Sequence, residues 1–326
     1  MSCYLLIERL SVQNANAIAG LTYGFPAITN FLGFAHALSR KLDAKLNVSL
    51  GGVVVVSHTN TVHVRQPKGW GDYVFALTRN PLTQQGNTAP INEEGRMNMQ
   101  VSLLIELEGF SAGDVYLESD LLAALQQSIP TSRLAGGQIT NYRDVRILAT
   151  EEQQVKALRT LMPGFVLTDR SDYLTEHYAA LSSQDENASL FDAWCDFAKL
   201  KFQAPQRNES NSDDTTPDNS GNGKWHYVPK PYPGYLVPIA AGYCAISLLY
   251  EAGVVENVRD KSVPVAFAET AYSVGEWRSV HALRDISDGV WRYEHSYPWY
   301  LAKNKPFIVD IPELDADDEE TLLEDN

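Results

Sequence analysis

Cysteine is scarce in this chain: three residues, at 3, 195 and 244, with no paired spacing. An odd, scattered set excludes a disulfide framework and a thiolate zinc site, and leaves these thiols as buried or bystander side chains. Long apolar runs are also missing. No stretch approaches the roughly eighteen residues of a membrane span, and the amino terminus lacks the basic flank and small-residue cleavage site of a secretion signal. A cytoplasmic protein without membrane contact is expected. No Walker loop, Gly-x-Ser-x-Gly elbow or His-Glu-x-x-His pair occurs. His58 and His63, five apart in strand-like sequence, project to opposite faces of a regular strand. No metal, cofactor or acid–base pair is implied.

Basic residues are outnumbered, 26 against 41 acidic, giving a net charge of −15. Taken whole, that balance repels phosphate. Its distribution changes the inference. The segment from Asp310 to Asn326 holds nine acidic and no basic residues, and Gln206 to Gly223 holds four acidic and one basic. Setting these aside leaves a body near −3, within which Gly33 to Leu82 carries Arg40, Lys41, Lys45, Arg65, Lys68 and Arg79 against only Asp43 and Asp72. This run is either ordinary solvated surface or a phosphate-facing side. The length allows one large or two modest domains.

The apolar patterning supplies the elements. Tyr4 to Val12 alternates as a strand that the amides Gln13, Asn14 and Asn16 are expected to stop. Pro26 to Leu42 has helical spacing, with Ile28, Phe31, Leu32, Ala35, Leu38 and Leu42 on one face. The valines from 53 to 56, continued by Val62 and Val64, are strand-like, and Tyr73 to Thr78 adds a short strand. The polar, turn-rich stretch that follows is expected to project as a hairpin at about 79–100, before a strand from Met97 to Leu107. Leu117 to Ile129 is a second helix, and Ile139 to Ala149 is patchily β-like. This is the βαββαβ order of a ferredoxin-like α+β domain over residues 1–150. Helices are expected at Glu151 to Met162, Ser171 to Leu181 and Ala188 to Phe202, within a helical segment 151–205. Residues 206–223 are expected to be a disordered insertion, 224–309 an aromatic-rich part packing on the core, and 310–326 an acidic disordered tail.

Several side chains have two readings. Gln13, Asn14 and Asn16 either satisfy local backbone as Asx-type turns or face outward to read a polar partner such as a base edge. On a regular strand at most one of Gln13 and Asn14 shares a face with Ser11. Arg133-Leu-Ala-Gly136-Gly137 is either an anion-binding nest beside an arginine or a turn needing positive φ. Arg79, Asn80 and Arg96 bracket the projecting segment, as phosphate contacts or as loop decoration. Trp70, between two glycines, either stacks a base or caps the core edge. His36 is a satisfied or surface histidine, or a general base.

Seven blocks occur in one order: Arg9 to Ala17, Tyr23-Gly-Phe-Pro26, Leu32 to Leu38, Thr78 to Leu82, Glu94-Gly-Arg96, Arg133 to Gly137 and Leu236-Val-Pro-Ile239. In that order they resemble the 5′-handle-binding subunits of type I-F CRISPR surveillance complexes (Cascade, here the Csy complex), the second-Csy family of the RAMP superfamily. The resemblance implies an RRM-related ferredoxin-like core with a thumb-like hairpin and a C-terminal mixed α/β extension. It implies a non-catalytic, crRNA-binding role in antiviral defence, as part of a ribonucleoprotein. The implied partners are crRNA, the large (Cas8-type) subunit, the backbone (Cas7-type) subunit and, through the assembled complex, target DNA. The insertion and the acidic tail depart from the family pattern. The expected RNA-binding set is Ser11, Gln13, Asn14, Asn16, His36, Trp70, Arg79, Asn80, Arg96, Arg133, Gly136 and Gly137. The alternatives are a metal-independent endoribonuclease using His36 as base, and a scaffold that touches only proteins.

Overall fold

The computed structural model describes residues 2–42, 46–79, 82–89, 91–204, 225–258 and 260–304. The expected insertion 206–223 and tail 310–326 lie outside the described residues. The chain begins with β1 (Cys3–Asn16), β2 (Ile18–Ala19), β3 (Thr22–Tyr23) and α1 (Ile28–Ser39). Then come β4 (Ser49–Val62), β5 (Val64–Arg65), β6 (Val74–Phe75), β7 (Leu77–Arg79), β8 (Ile91–Glu93) and β9 (Arg96–Glu108). Helix α2 (Val115–Ser128) leads to β10 (Arg133–Leu134), β11 (Gly137–Asn141) and β12 (Asp144–Leu148). The second half holds α3 (Glu151–Thr160), β13 (Phe165–Asp169), α4 (Ser171–Ser182), α5 (Leu190–Asp196), β14 (Lys201–Gln203) and β15 (His226–Val228). It closes with β16 (Leu236–Ala245), β17 (Ala268–Ser279), β18 (Arg292–Ser296) and β19 (Trp299–Lys303).

Eleven strands join in one antiparallel sheet, ordered β10-β11-β1-β9-β4-β13-β17-β16-β19-β18, with β12 also pairing β1. The far end curls back. Just before β18, the Trp291 amide donates to the Val53 carbonyl and the Val53 amide to the Trp291 carbonyl, both at 2.9 Å, so β4 lies in both the flat part and the curl. Trp291 is fully buried, and its indole N–H donates to the Leu167 carbonyl at 2.8 Å.

The sheet is covered on both faces where Cys3 to Ile7 of β1 and Val53 to Val56 of β4 run as continuous apolar stretches, so the alternation expected from Tyr4 to Val12 holds only beyond Glu8. On one face Leu5, Ile7, Val53, Val55, Leu103 and Ile105 pack under α1 and α2. On the other, Tyr4, Leu6, Val54, Val56 and Leu104 pack under α3 and the segment Val280 to Val290. Helix α3 starts at a capping box: the Gln153 amide donates to Thr150 Oγ1 and the Gln153 side chain accepts from the Thr150 amide. Helices α4 and α5 form a smaller apolar cluster on β16 and β17.

Two expectations are corrected. The strand that the amides were expected to stop continues through them to Asn16, because β-bulges absorb the irregularity: β1 loses register with β9 between Ile7 and Leu10 and again between Val12 and Ala15. Arg9 and Asn14 occupy those bulges with φ of 51° and 60°. The helix expected over Ala188 to Phe202 is only α5, since the chain turns into β14, which pairs with β15. Near the stretch expected to project, β7 pairs with β8, Arg79 opposite Ile91.

Candidate nucleic-acid interface

The cover on the α3 side of the sheet ends partway along the strands. Down β9 the chain alternates Arg96, Asn98, Gln100 and Ser102 on this face against Met97, Met99, Val101 and Leu103 in the core. Beyond Ser102 the face is open and polar. Register carries it sideways: Asn141 on β11 lies opposite Ser11 on β1, Ser11 opposite Gln100 on β9, and Gln100 opposite Thr59 on β4. Next to this row, Gln138 lies opposite Gln13 and Asn98 opposite Thr61. Four neighbouring strands thus present amides and hydroxyls to solvent.

The second bulge in β1 decides how the amides point. Val12 and Ala15 both turn into the core, and the extra residue between them leaves Gln13 and Asn14 both exposed. Regular alternation would have allowed only one of them there. The Asn14 amide N–H donates to Asn98 Oδ1 at 3.0 Å, and Arg9 Nη1 donates to Gln100 Oε1 at 3.2 Å, placing a cation over the row. Among the described residues, the side-chain amides of Gln13, Asn14, Gln138 and Asn141 have no hydrogen-bond partner. Asn16 differs: its side chain donates to the Ile18 carbonyl and accepts from the Ile18 amide, so here the Asx-turn reading holds.

At the end of the row an open cleft of about 450 Å³ is lined by Asn16, Asn30, Glu94, Arg96 and Gly136, among others. Arg96 is held by the Glu94 carboxylate, with its Nε 2.8 Å away, so a phosphate there competes with an internal ion pair. The glycine loop is a tight two-residue turn between β10 and β11. Ala135 and Gly136 have φ of 49° and 74°, the geometry of a type I′ hairpin, and Arg133 Nη1 donates to the Gly136 carbonyl at 3.2 Å. Gly137 serves a different purpose. A Cβ there would lie 2.7 Å from the Gln13 carbonyl and 2.8 Å from Ala15 Cα, so only glycine lets β11 approach the bulge.

The structure therefore brings together Ser11, Gln13, Asn14, Arg96, Gly136 and Gly137, with Asn16 committed at the rim and Arg133 exposed beside it. His36 is exposed in the last turn of α1, a helix packed on the opposite face of the sheet. Trp70 is 72% exposed in the β5–β6 loop, with Lys68 Nζ 5.6 Å from its ring. Asn80 lies outside the described residues. Sequence reasoning passed over Arg9, Asn98, Gln100, Thr59, Gln138 and Asn141. The signal was present on β9, where every second residue from 96 to 102 is polar inside an otherwise apolar strand. No group of three or more His, Cys, Asp or Glu residues suited to a metal ion occurs among the described residues.

His58 marks the border between covered and open sheet. A carbonyl can only accept, so His58 Nδ1 carries the proton donated to the Pro163 carbonyl at 2.8 Å, and Nε2 accepts from the Ser102 hydroxyl at 2.8 Å. Ser102 Oγ in turn accepts from the Arg9 amide at 2.9 Å, locking the first bulge. Burial pushes the His58 pKa below its ordinary 6.5, outweighing the hydrogen bond to Pro163. The unfolded chain then gains the proton first as pH falls. The stability this imidazole contributes is complete above about 6.5 and is lost as pH falls from there through the lower folded value. Urea unfolding at pH 7.5 and pH 5.5 is expected to show a larger loss on acidification for the wild type than for His58→Gln. Equal losses would remove His58 as the cause.

Residues 5–302 match the family described as CRISPR-associated protein (Cas_Csy2). The chain is 38% identical over 309 residues, 90% of its own length and 92% of the relative's, to "CRISPR-associated protein Csy2" of Pseudomonas aeruginosa (strain UCBPP-PA14).

Proposed function

This chain belongs to the Cas_Csy2 family of CRISPR-associated proteins, and from that premise we propose that it is a non-catalytic subunit holding the 5′ handle of guide RNA across the polar sheet face. The observation that carries this reading is the row from Asn141 through Ser11 and Gln100 to Thr59, with the unpartnered amides of Asn141 in it and of Gln13, Asn14 and Gln138 beside it. An amide donates and accepts in one plane and can match the edge of an unpaired base, the usual target of sequence-specific RNA readout. The strand order β12-β1-β9-β4, with α1 and α2 on one face, supports a ferredoxin-like, RRM-related core. Here the exposed face is amide-rich rather than aromatic, which favours hydrogen bonding to base edges over stacking.

The acidic total charge makes RNA binding by the isolated chain weak. The complex therefore forms in the cytoplasm alongside a large subunit and a backbone subunit that supply more cations, and target DNA is read by the guide rather than by this chain. Co-expression with the candidate large subunit and guide RNA, followed by purification, tests this. Guide is expected to copurify, and Gln13→Ala or Asn98→Ala to weaken its binding by about 1–3 kcal/mol with little change in salt dependence. Arg9→Ala should instead reduce the salt slope by about one. Wild-type retention in all three would overturn the reading. Clean site-specific cleavage of repeat RNA by the purified protein would overturn its non-catalytic part.

A further inference from the structure

Two sequence blocks that the polar face leaves unused, Tyr23-Gly-Phe-Pro26 and, from the second, Val237-Pro-Ile239, line one pocket together with Asn60, Leu167 and Trp277. The cavity measures about 240 Å³, below the roughly 300–1,000 Å³ of sites that take drug-sized ligands. It suits a single planar ring system. Three of its lining side chains are aromatic and most of the others aliphatic: Phe25 meets Trp277 edge-on at 4.9 Å between centroids, with Phe31 stacked behind it at 5.6 Å, while Tyr23 is half exposed at the mouth.

The pocket opens at a break in the sheet. Strand β4 pairs with β13 only at Val56 and Ser57, so among the described residues its outer edge from His58 to Val62 carries no strand. A second hollow lies there, lined by His58, Thr59, Phe165 and Tyr235, and it shares Asn60 and Trp277 with the first. Thr59 is the last member of the polar row. Row, hollow and pocket are therefore continuous. At their junction, neither the Asn60 amide nor the Trp277 indole N–H has a side-chain partner among the described residues. An apolar peptide side chain would leave both unused; a nucleobase presents a flat face to aromatic rings and a polar edge to an amide.

We propose that this pocket receives one unpaired nucleobase of the guide RNA, turned over the free edge of β4 where the strand leaves the polar face. The inference rests on the RNA-binding reading above and adds a specific base site to it. The test uses the assembled complex, with a guide carrying single abasic positions across its handle. One abasic position is expected to weaken wild-type binding by about 5- to 100-fold, as loss of a stacked base does. Asn60→Ala should weaken binding of the intact guide and add nothing further for that abasic guide. Trp277→Leu should behave likewise, and Asn60→Ala covers the case in which Trp277→Leu fails to fold. If both variants bind every guide as the wild type does while Gln13→Ala still weakens binding, the pocket is not a base site and the RNA reading stands. If they lose the large subunit but not the guide, the pocket holds a protein segment and the proposal fails. A wild-type complex that never retains guide overturns both.

Discussion

Replacing Trp291 with alanine is expected to destabilise the protein by about 3–5 kcal/mol, the range for removing a fully buried large aromatic. The side chain fills the space inside the curl, and its indole N–H is matched to the Leu167 carbonyl on β13. Its backbone also closes the sheet onto Val53. Truncation thus opens a cavity and orphans an acceptor at the seam. Trp291→Phe separates the two effects: it keeps most of the volume and loses only the donor, at about 1–3 kcal/mol for an unsatisfied buried group. Denaturant unfolding followed by circular dichroism reads both. A midpoint for Trp291→Ala equal to that of the wild type would show that the curl holds without this residue.

A comparable loss is expected at the other end of the sheet. Glu8 is buried on β1 and carries its carboxylate between Arg143, 3.0 Å away, and Arg146, 2.8 Å away. The two arginines are partly or largely exposed, so the cost of a broken pair falls on the acid. Replacing both with alanine leaves a buried carboxylate without a cation, at about 3–5 kcal/mol. Each single replacement should cost less, because the other arginine remains. Adding Glu8→Gln to the double variant should recover most of the loss; failure to recover would assign it to packing by the arginine stems.

Local pattern made the first half of this fold legible. The valines of β4, the helical face of α1 and the alternation of β9 each record burial by neighbours close in sequence. The bulges at Arg9 and Asn14 were not legible, because arginine has no preference for positive φ and asparagine's preference does not separate a bulge from a turn, and they decide which amides face solvent. The turn at Arg133 to Gly137 shows two glycines with different causes, one for its φ and one for strand approach, and sequence alone does not separate them. The curl was hidden because its pairings join distant segments. Pro238 also weakened the strand signal of β16. It is tolerated there because β19 pairs with that strand only from Gly242 to Cys244, leaving Pro238 on an open edge. The candidate interface was half visible: Ser11, Gln13 and Asn14 stood out as a cluster, whereas Gln138, Asn141 and Thr59 join it only through register.

The closure of Trp291 onto Val53 also sets an order of events during synthesis. At about 5–20 residues per second, β4 leaves the ribosome on the order of tens of seconds before the residues that seal its curl. Through that interval the Val53 end of this strand holds an unpaired edge, the feature most prone to wrong association. Non-local pairing of this kind folds slowly.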